Sequence, residues 1–162
     1  MINYFQKNDH FAAECGAVLT VCEPGHAEMT LTLERRHTTD VGRPHVHAGI
    51  LYTLAESASA AAILPFGYNC YAVEGHITYM DAVSEGTVTA VAKGKDEHDK
   101  ESGSCRVRLL AEDGRVIAKA VFTIFYTGDR FETASDDCLG NADSSVFGIW
   151  RQVFAGSALQ KV

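Results

Sequence analysis

Glu56 is the side chain whose type and setting in this sequence most readily do chemistry. It lies in the run Ala48-Gly49-Ile50-Leu51-Tyr52-Thr53-Leu54-Ala55-Glu56, whose apolar residues continue to about Leu64 and occur nearly all round a helical wheel. That is the pattern of a helix buried on most sides. A carboxylate on such a helix must be hydrogen-bonded, neutralised or set at a cavity, because bare burial of charge is costly. Desolvation also raises its pKa, as a general base working near neutrality requires. The competing reading is a structural acid at the helix's one wet edge.

The start of the same helix is the second chemical element. The first amides of any helix lack internal partners, and the helix dipole there favours negative charge. The N–H groups of Ala48, Gly49 and Ile50 could polarise a carbonyl and stabilise the oxyanion formed on attack. Small residues at 48 and 49 let a ligand approach. Glu56 stands eight residues beyond Ala48, about 12 Å along the axis at 1.5 Å per residue. One carbonyl therefore cannot be served by both groups of one chain. If they act together, two chains must lie with these helices antiparallel about a two-fold axis, forming two composite sites.

Other constellations carry less. His45 and His47 form an HxH pair, and His76 follows in Glu74-Gly75-His76, but two imidazoles are too few for zinc and no Cys or acidic cluster completes the set. No metal is expected. His47 reads as a hydrogen-bonding anchor just before the helix, and His45 as exposed. Ser57 and Ser59 lack a GxSxG elbow and read as small helix residues. No phosphate-cradling glycine loop is present.

The surrounding elements must hold these groups. Residues 3–14 read as a short helix with Phe5, Phe11 and Ala12 inward. Strands are expected over 17–22 and 27–33, separated by Pro24-Gly25, with Met29, Leu31 and Leu33 facing in and Thr30, Thr32 and Glu34 facing out. A polar loop spans 35–44. The helix from Ala48 stops at Pro65 and Gly67, and strands follow over 70–80, 86–95, 102–111 and 115–127, the last two joined by the hairpin turn Glu112-Asp113-Gly114. Hairpin-linked strands without crossover helices imply an α+β fold, with an antiparallel sheet of five to six strands wrapped around one long helix. The expected division is a domain over 1–127 and a C-terminal extension over 128–162. The extension reads as a polar linker to 145, then a short helix bearing Phe147, Trp150 and Phe154.

Size and charge bound the partners. The chain has 162 residues, enough for one core without staples. A net charge of −7 argues against nucleic acid but leaves room for a nucleotide-bearing small molecule held by a few local cations. Five cysteines form no CxxC pair and no signal-peptide pattern is evident, so reduced thiols in a cytoplasmic setting are expected. The apolar run from Gly49 to Leu64 falls short of the ~20 residues a bilayer helix needs.

The stretch Gly42-x4-His47-Ala48-Gly49-x4-Thr53-Leu54-Ala55-Glu56, with strands on either side, resembles the hotdog-fold acyl-CoA thioesterases, especially the phenylacetate-pathway and 4-hydroxybenzoyl-CoA branch. That family reads His-Gly-Gly and then a helix with Leu-Ala-Asp or Leu-Ala-Glu, the acid nine residues after the histidine, as Glu56 is after His47. The likeness covers roughly residues 5–127. It implies hydrolysis of an acyl-CoA to free acid and CoA, with Glu56 as nucleophile or general base and the Ala48 amide, beside Gly49, polarising the carbonyl across a homodimer interface. A dimer of dimers is also implied. CoA enters as part of the substrate, and no separate cofactor is implied. Relatives position water with a helix hydroxyl near the acid, here Ser57 or Ser59, and bind the CoA phosphates with cations of the later strands, here Lys93, Lys95, Arg106 and Arg108. Two positions depart from the pattern: Ala48 replaces the first glycine, and Val41 stands where many relatives carry Asn or Gln. The resemblance also admits a hotdog dehydratase or hydratase using His47 or His76, and a non-catalytic acyl-CoA binding module.

Overall fold

The computed structural model describes residues 1–97, 99–100 and 102–130. Two short helices, α1 (Ile2–Asn8) and α2 (His10–Glu14), stand where a single helix was expected. Asp9 divides them. Its backbone leaves the helical region, and its carboxylate caps α2 by accepting the Ala12 N–H at 3.0 Å. The break resets the helical phase, so Phe5 and Ala12 are buried but Phe11 is 67% exposed, contrary to expectation.

Strands β1 (Val18–Glu23) and β2 (His26–Thr32) follow. The segment expected to be plain loop instead holds a 3-10 turn, Arg35–His37, and a small ribbon of β3 (Thr38–Thr39) paired with β4 (His45–Val46). Helix α3 (Ala48–Ile63) continues into a 3-10 turn, Leu64–Phe66, and Gly67 at φ +90° ends it. Four strands complete the fold: β5 (Tyr68–Tyr79), β6 (Thr87–Gly94), β7 (Ser102–Leu110) and β8 (Val116–Arg130). The last strand runs to Arg130, three residues past its expected end at 127, because Arg130 still pairs with Tyr68 of β5. The reading of the remaining tail as linker and helix lies outside the described residues.

The six long strands form one antiparallel sheet in the order β1-β2-β6-β7-β8-β5. Burial alternates along them, with Ala27, Met29 and Leu31 of β2, Val88, Ala90 and Ala92 of β6, Cys105, Val107 and Leu109 of β7, and Ala120, Phe122 and Ile124 of β8 facing inward. They pack on Leu51, Leu54, Ala55, Ala58, Ala61 and Ala62 of α3. Alanine on the helix and at the centre of the sheet lets the two layers approach closely. Gly94 extends this: a Cβ there would run into the Ile63 side chain, so glycine is what seats the end of α3.

Counted with its 3-10 continuation, Ala48–Phe66 reaches 19 residues at a mean hydropathy of 1.3. By length and composition alone it could cross a membrane, which corrects the shorter span read from the sequence. Half of it is buried within the fold, where the sheet supplies the apolar partner that lipid would otherwise provide.

Candidate active site

The site is built along one stripe of α3. Residues four apart lie on the same face of a helix, so Ala48, Tyr52 and Glu56 form a row. Strand β5, the edge strand beside β8, runs past this row.

His47 sets the first turn of α3. Its backbone is extended, at φ −64° and ψ 133°, and its Nδ1 accepts the Gly49 N–H at 3.0 Å. Its carbonyl accepts the Ile50 N–H at 3.0 Å, and its own N–H donates to the His37 carbonyl at 2.8 Å. Of the three amides that could polarise a carbonyl, those of Gly49 and Ile50 are therefore already engaged. The Ala48 N–H alone has no partner among the described residues. Ala48 is exposed, so the group is accessible.

Glu56 is half-buried two turns further on. Burial raises its pKa above the ordinary carboxylate range, and the charge of Asp9 adds to the shift. Asp9 was not foreseen, since the sequence gives no sign that the first helical break faces position 56. Cys70 of β5 was missed for the same reason. Burial pushes its thiol up to about 11, with the charge of Glu56 as a second cause, so the sulfur beside the acid is protonated.

At the amide end, Tyr79 of β5 donates its phenol proton to the Ala48 carbonyl at 3.2 Å. Burial raises the Tyr79 pKa, with Tyr52 the second cause. The Tyr52 ring meets Phe122 edge-on, centroids 5.5 Å apart. Its hydroxyl reaches β5 at Gly75, where a Cβ would collide with it. Tyrosines at 52 and 79 carried no motif; helix periodicity sets Tyr52 beside Ala48, and only the packing of β5 on α3 brings Tyr79 there.

The other sequence candidates scatter. Ser59 is fully buried and its Oγ donates to the Glu56 carbonyl at 2.8 Å, and Ser57 is also buried. Val41 is 82% exposed on the loop between β3 and β4. His45, expected to be exposed, is half-buried, its Nδ1 donating to the Arg43 carbonyl at 2.6 Å. His76 lies on the outer face of β5, its Nε2 3.3 Å from Thr78 Oγ1, opposite in register to exposed Val121. Among the described residues no three His, Cys, Asp or Glu side chains group as metal ligands would.

Lys93 and Arg106 are directly opposed on β6 and β7. With Lys95 and Ser104 they line a pocket of about 170 Å³. Its one acid, Glu97, is held by Lys100 Nζ at 2.7 Å and by the Ser104 N–H at 3.1 Å.

No protein-family model matches the chain. An Archaeoglobus fulgidus protein named "Putative esterase" is 26% identical over 134 residues, 82% of this chain and 85% of that protein. The PaaI protein of the Escherichia coli phenylacetic acid degradation operon superposes with a TM-score of 0.73 at 21% identity, over 80% of this chain and 93% of that one. A hypothetical thioesterase from Streptococcus pneumoniae, solved with coenzyme A, gives 0.69 at 23% identity, over 77% and 98%. The chain thus has the hotdog fold, and PaaI proteins are among the structures it resembles.

Proposed function

We propose that this protein hydrolyses acyl-CoA thioesters, with Glu56 of one subunit and the Ala48 amide of a second acting on one carbonyl. The observation that carries the reading is the pairing, on one stripe of α3, of a half-buried acid with raised pKa and the one amide of the helix start that has no partner among the described residues. The CoA-bound thioesterase among the structural relatives supports acyl-CoA as the substrate class.

The amide donates to the thioester oxygen and stabilises the charge that develops there. Glu56, ionised, takes a proton from water as its oxygen adds to the carbonyl carbon. The tetrahedral species collapses with cleavage of the C–S bond, and the proton passes to the departing sulfur, giving a carboxylic acid and the CoA thiol. If Glu56 attacks directly, a mixed anhydride forms first and water then cleaves it. Neither route needs a cofactor. The pocket of Lys93, Lys95 and Arg106 is of the right chemistry for the CoA phosphates.

Self-association is part of the proposal. The helix arithmetic places the two groups about 12 Å apart in one chain. The edge strand β5 supplies a surface for it: it is twelve residues long, and Tyr71 and Tyr79 on it are exposed. An open edge of this length invites pairing.

A release assay for free thiol, run on acetyl-, octanoyl- and phenylacetyl-CoA, tests the reading. Glu56→Gln is expected to lower kcat/KM by about a hundredfold or more; undiminished turnover by that variant would refute it. A hydratase role is disfavoured by the placement of both histidines, His47 held to the helix start through Nδ1 and His76 on the outer face. A binding module without turnover is the second reading, favoured by Val41, whose apolar side chain offers no hydrogen bond from its loop. Saturable CoA binding with no thiol released by the wild type would select it.

A further inference from the structure

We propose that Tyr52 is a catalytic residue of this site, its phenol donating a second hydrogen bond to the thioester oxygen beside the Ala48 amide. The inference rests on the hydrolase reading above and assigns it a donor that neither the motif nor the resemblance supplies.

Three observations carry it. First, Tyr52 lies one helical turn from Ala48 and one from Glu56, and a long side chain on a helix leans back over the turn N-terminal to its own Cα, here the turn that begins at Ala48. Second, the ring is held in place. Phe122 packs against it edge-on at 5.5 Å, and the hydroxyl fits under β5 only because residue 75 is glycine. A phenol held by a backbone notch and an aromatic edge is preorganised, as a donor to a developing charge must be. Third, the hydroxyl is unspent. Tyr79 uses its own phenol on the Ala48 carbonyl, whereas Tyr52 has no hydrogen-bond partner among the described residues and is partly open to solvent.

The site has need of such a group. With Gly49 and Ile50 engaged, one amide remains at the helix start, and Val41 brings no polar atom from its loop. The antiparallel dimer adds a geometric condition. If Glu56 faces position 48 of the second chain, position 52 faces position 52, so the two phenols flank the two-fold axis between the composite sites. Each can then serve the carbonyl bound at the nearer helix start.

Tyr52→Phe keeps the ring, its Phe122 contact and its place at Gly75, and removes only the hydroxyl. In the thiol-release assay with the three acyl-CoAs, this variant is expected to lose about tenfold or more in kcat with KM changed less than twofold, on the scale of removing one oxyanion donor. Thermal unfolding should match the wild type, which separates lost chemistry from lost structure. Wild-type kcat in Tyr52→Phe, alongside an inactive Glu56→Gln, would overturn the Tyr52 assignment and leave the hydrolase reading standing. A rise in KM with kcat unchanged would also overturn it, by showing uniform binding instead. Full activity in Glu56→Gln, or no thiol release by the wild type, would overturn the parent reading and Tyr52 with it.

Discussion

Glu56 shows how one residue's surroundings set its chemistry. Burial and the nearby Asp9 carboxylate both raise its pKa. In the proposed reaction the base must be ionised, so kcat/KM is expected to rise with pH through that elevated value and then level off. Asp9→Asn keeps the α2 cap, since asparagine caps as well as aspartate, and should shift the acid limb toward lower pH; an unmoved limb in the pH–rate profile would show that Asp9 does not act on Glu56. The same shift has a stability consequence of fixed sign. A group whose folded pKa lies above its unfolded value binds protons more tightly when folded, so its stabilising contribution is full at low pH and is lost as pH rises through the folded value. Above that raised value the ionised Glu56 is a net cost. Glu56→Gln should therefore raise the melting temperature at pH above that raised value while lowering turnover, with the gain shrinking as the pH falls through it.

At the scale of elements, two substitutions probe how α3 is set in the sheet. Ala48 is the first residue of α3, where proline is well tolerated because that N–H has no helical partner. His47 already has the extended backbone that a following proline requires. Ala48→Pro should thus delete the one free amide with little effect on folding, lowering kcat by about a hundredfold; circular dichroism and thiol release together check both halves. At the other end of the helix, Gly94→Ala would drive a methyl group into Ile63, which is almost fully buried. A loss of about 1–3 kcal/mol in urea unfolding is expected from such overpacking.

At the scale of the whole molecule the question is how many chains make a site. If Glu56 and the amide meet across an interface, Glu56→Gln and Ala48→Pro chains are each inactive alone but complementary. Random reassortment gives half heterodimers, each with one intact site of two, so about a quarter of wild-type activity should return on mixing and refolding. No recovery, with heterodimers shown by native mass spectrometry, would overturn the shared site of Glu56 and the Ala48 amide.

The sequence by itself determined the class of fold and singled out the candidate acid. Both are written in local pattern: period-two alternation such as Met29, Leu31, Leu33, a helical run between turn formers, and the nine-residue spacing from His47 to Glu56. It also fixed, through the rise per residue of a helix, that Glu56 and Ala48 cannot serve one carbonyl from one chain. What it could not give depends on which surfaces meet. That, among the described residues, only the Ala48 amide of the helix start is free follows from where the His47 ring and carbonyl turn. That Asp9, Cys70 and Tyr79 gather at α3 follows from the docking of the N-terminal helices and of the edge strand β5. The same packing buried Ser57 and Ser59 and turned His76 outward. These contacts join positions tens of residues apart, and no local propensity or spacing encodes them; they exist only once the sheet has closed over the helix.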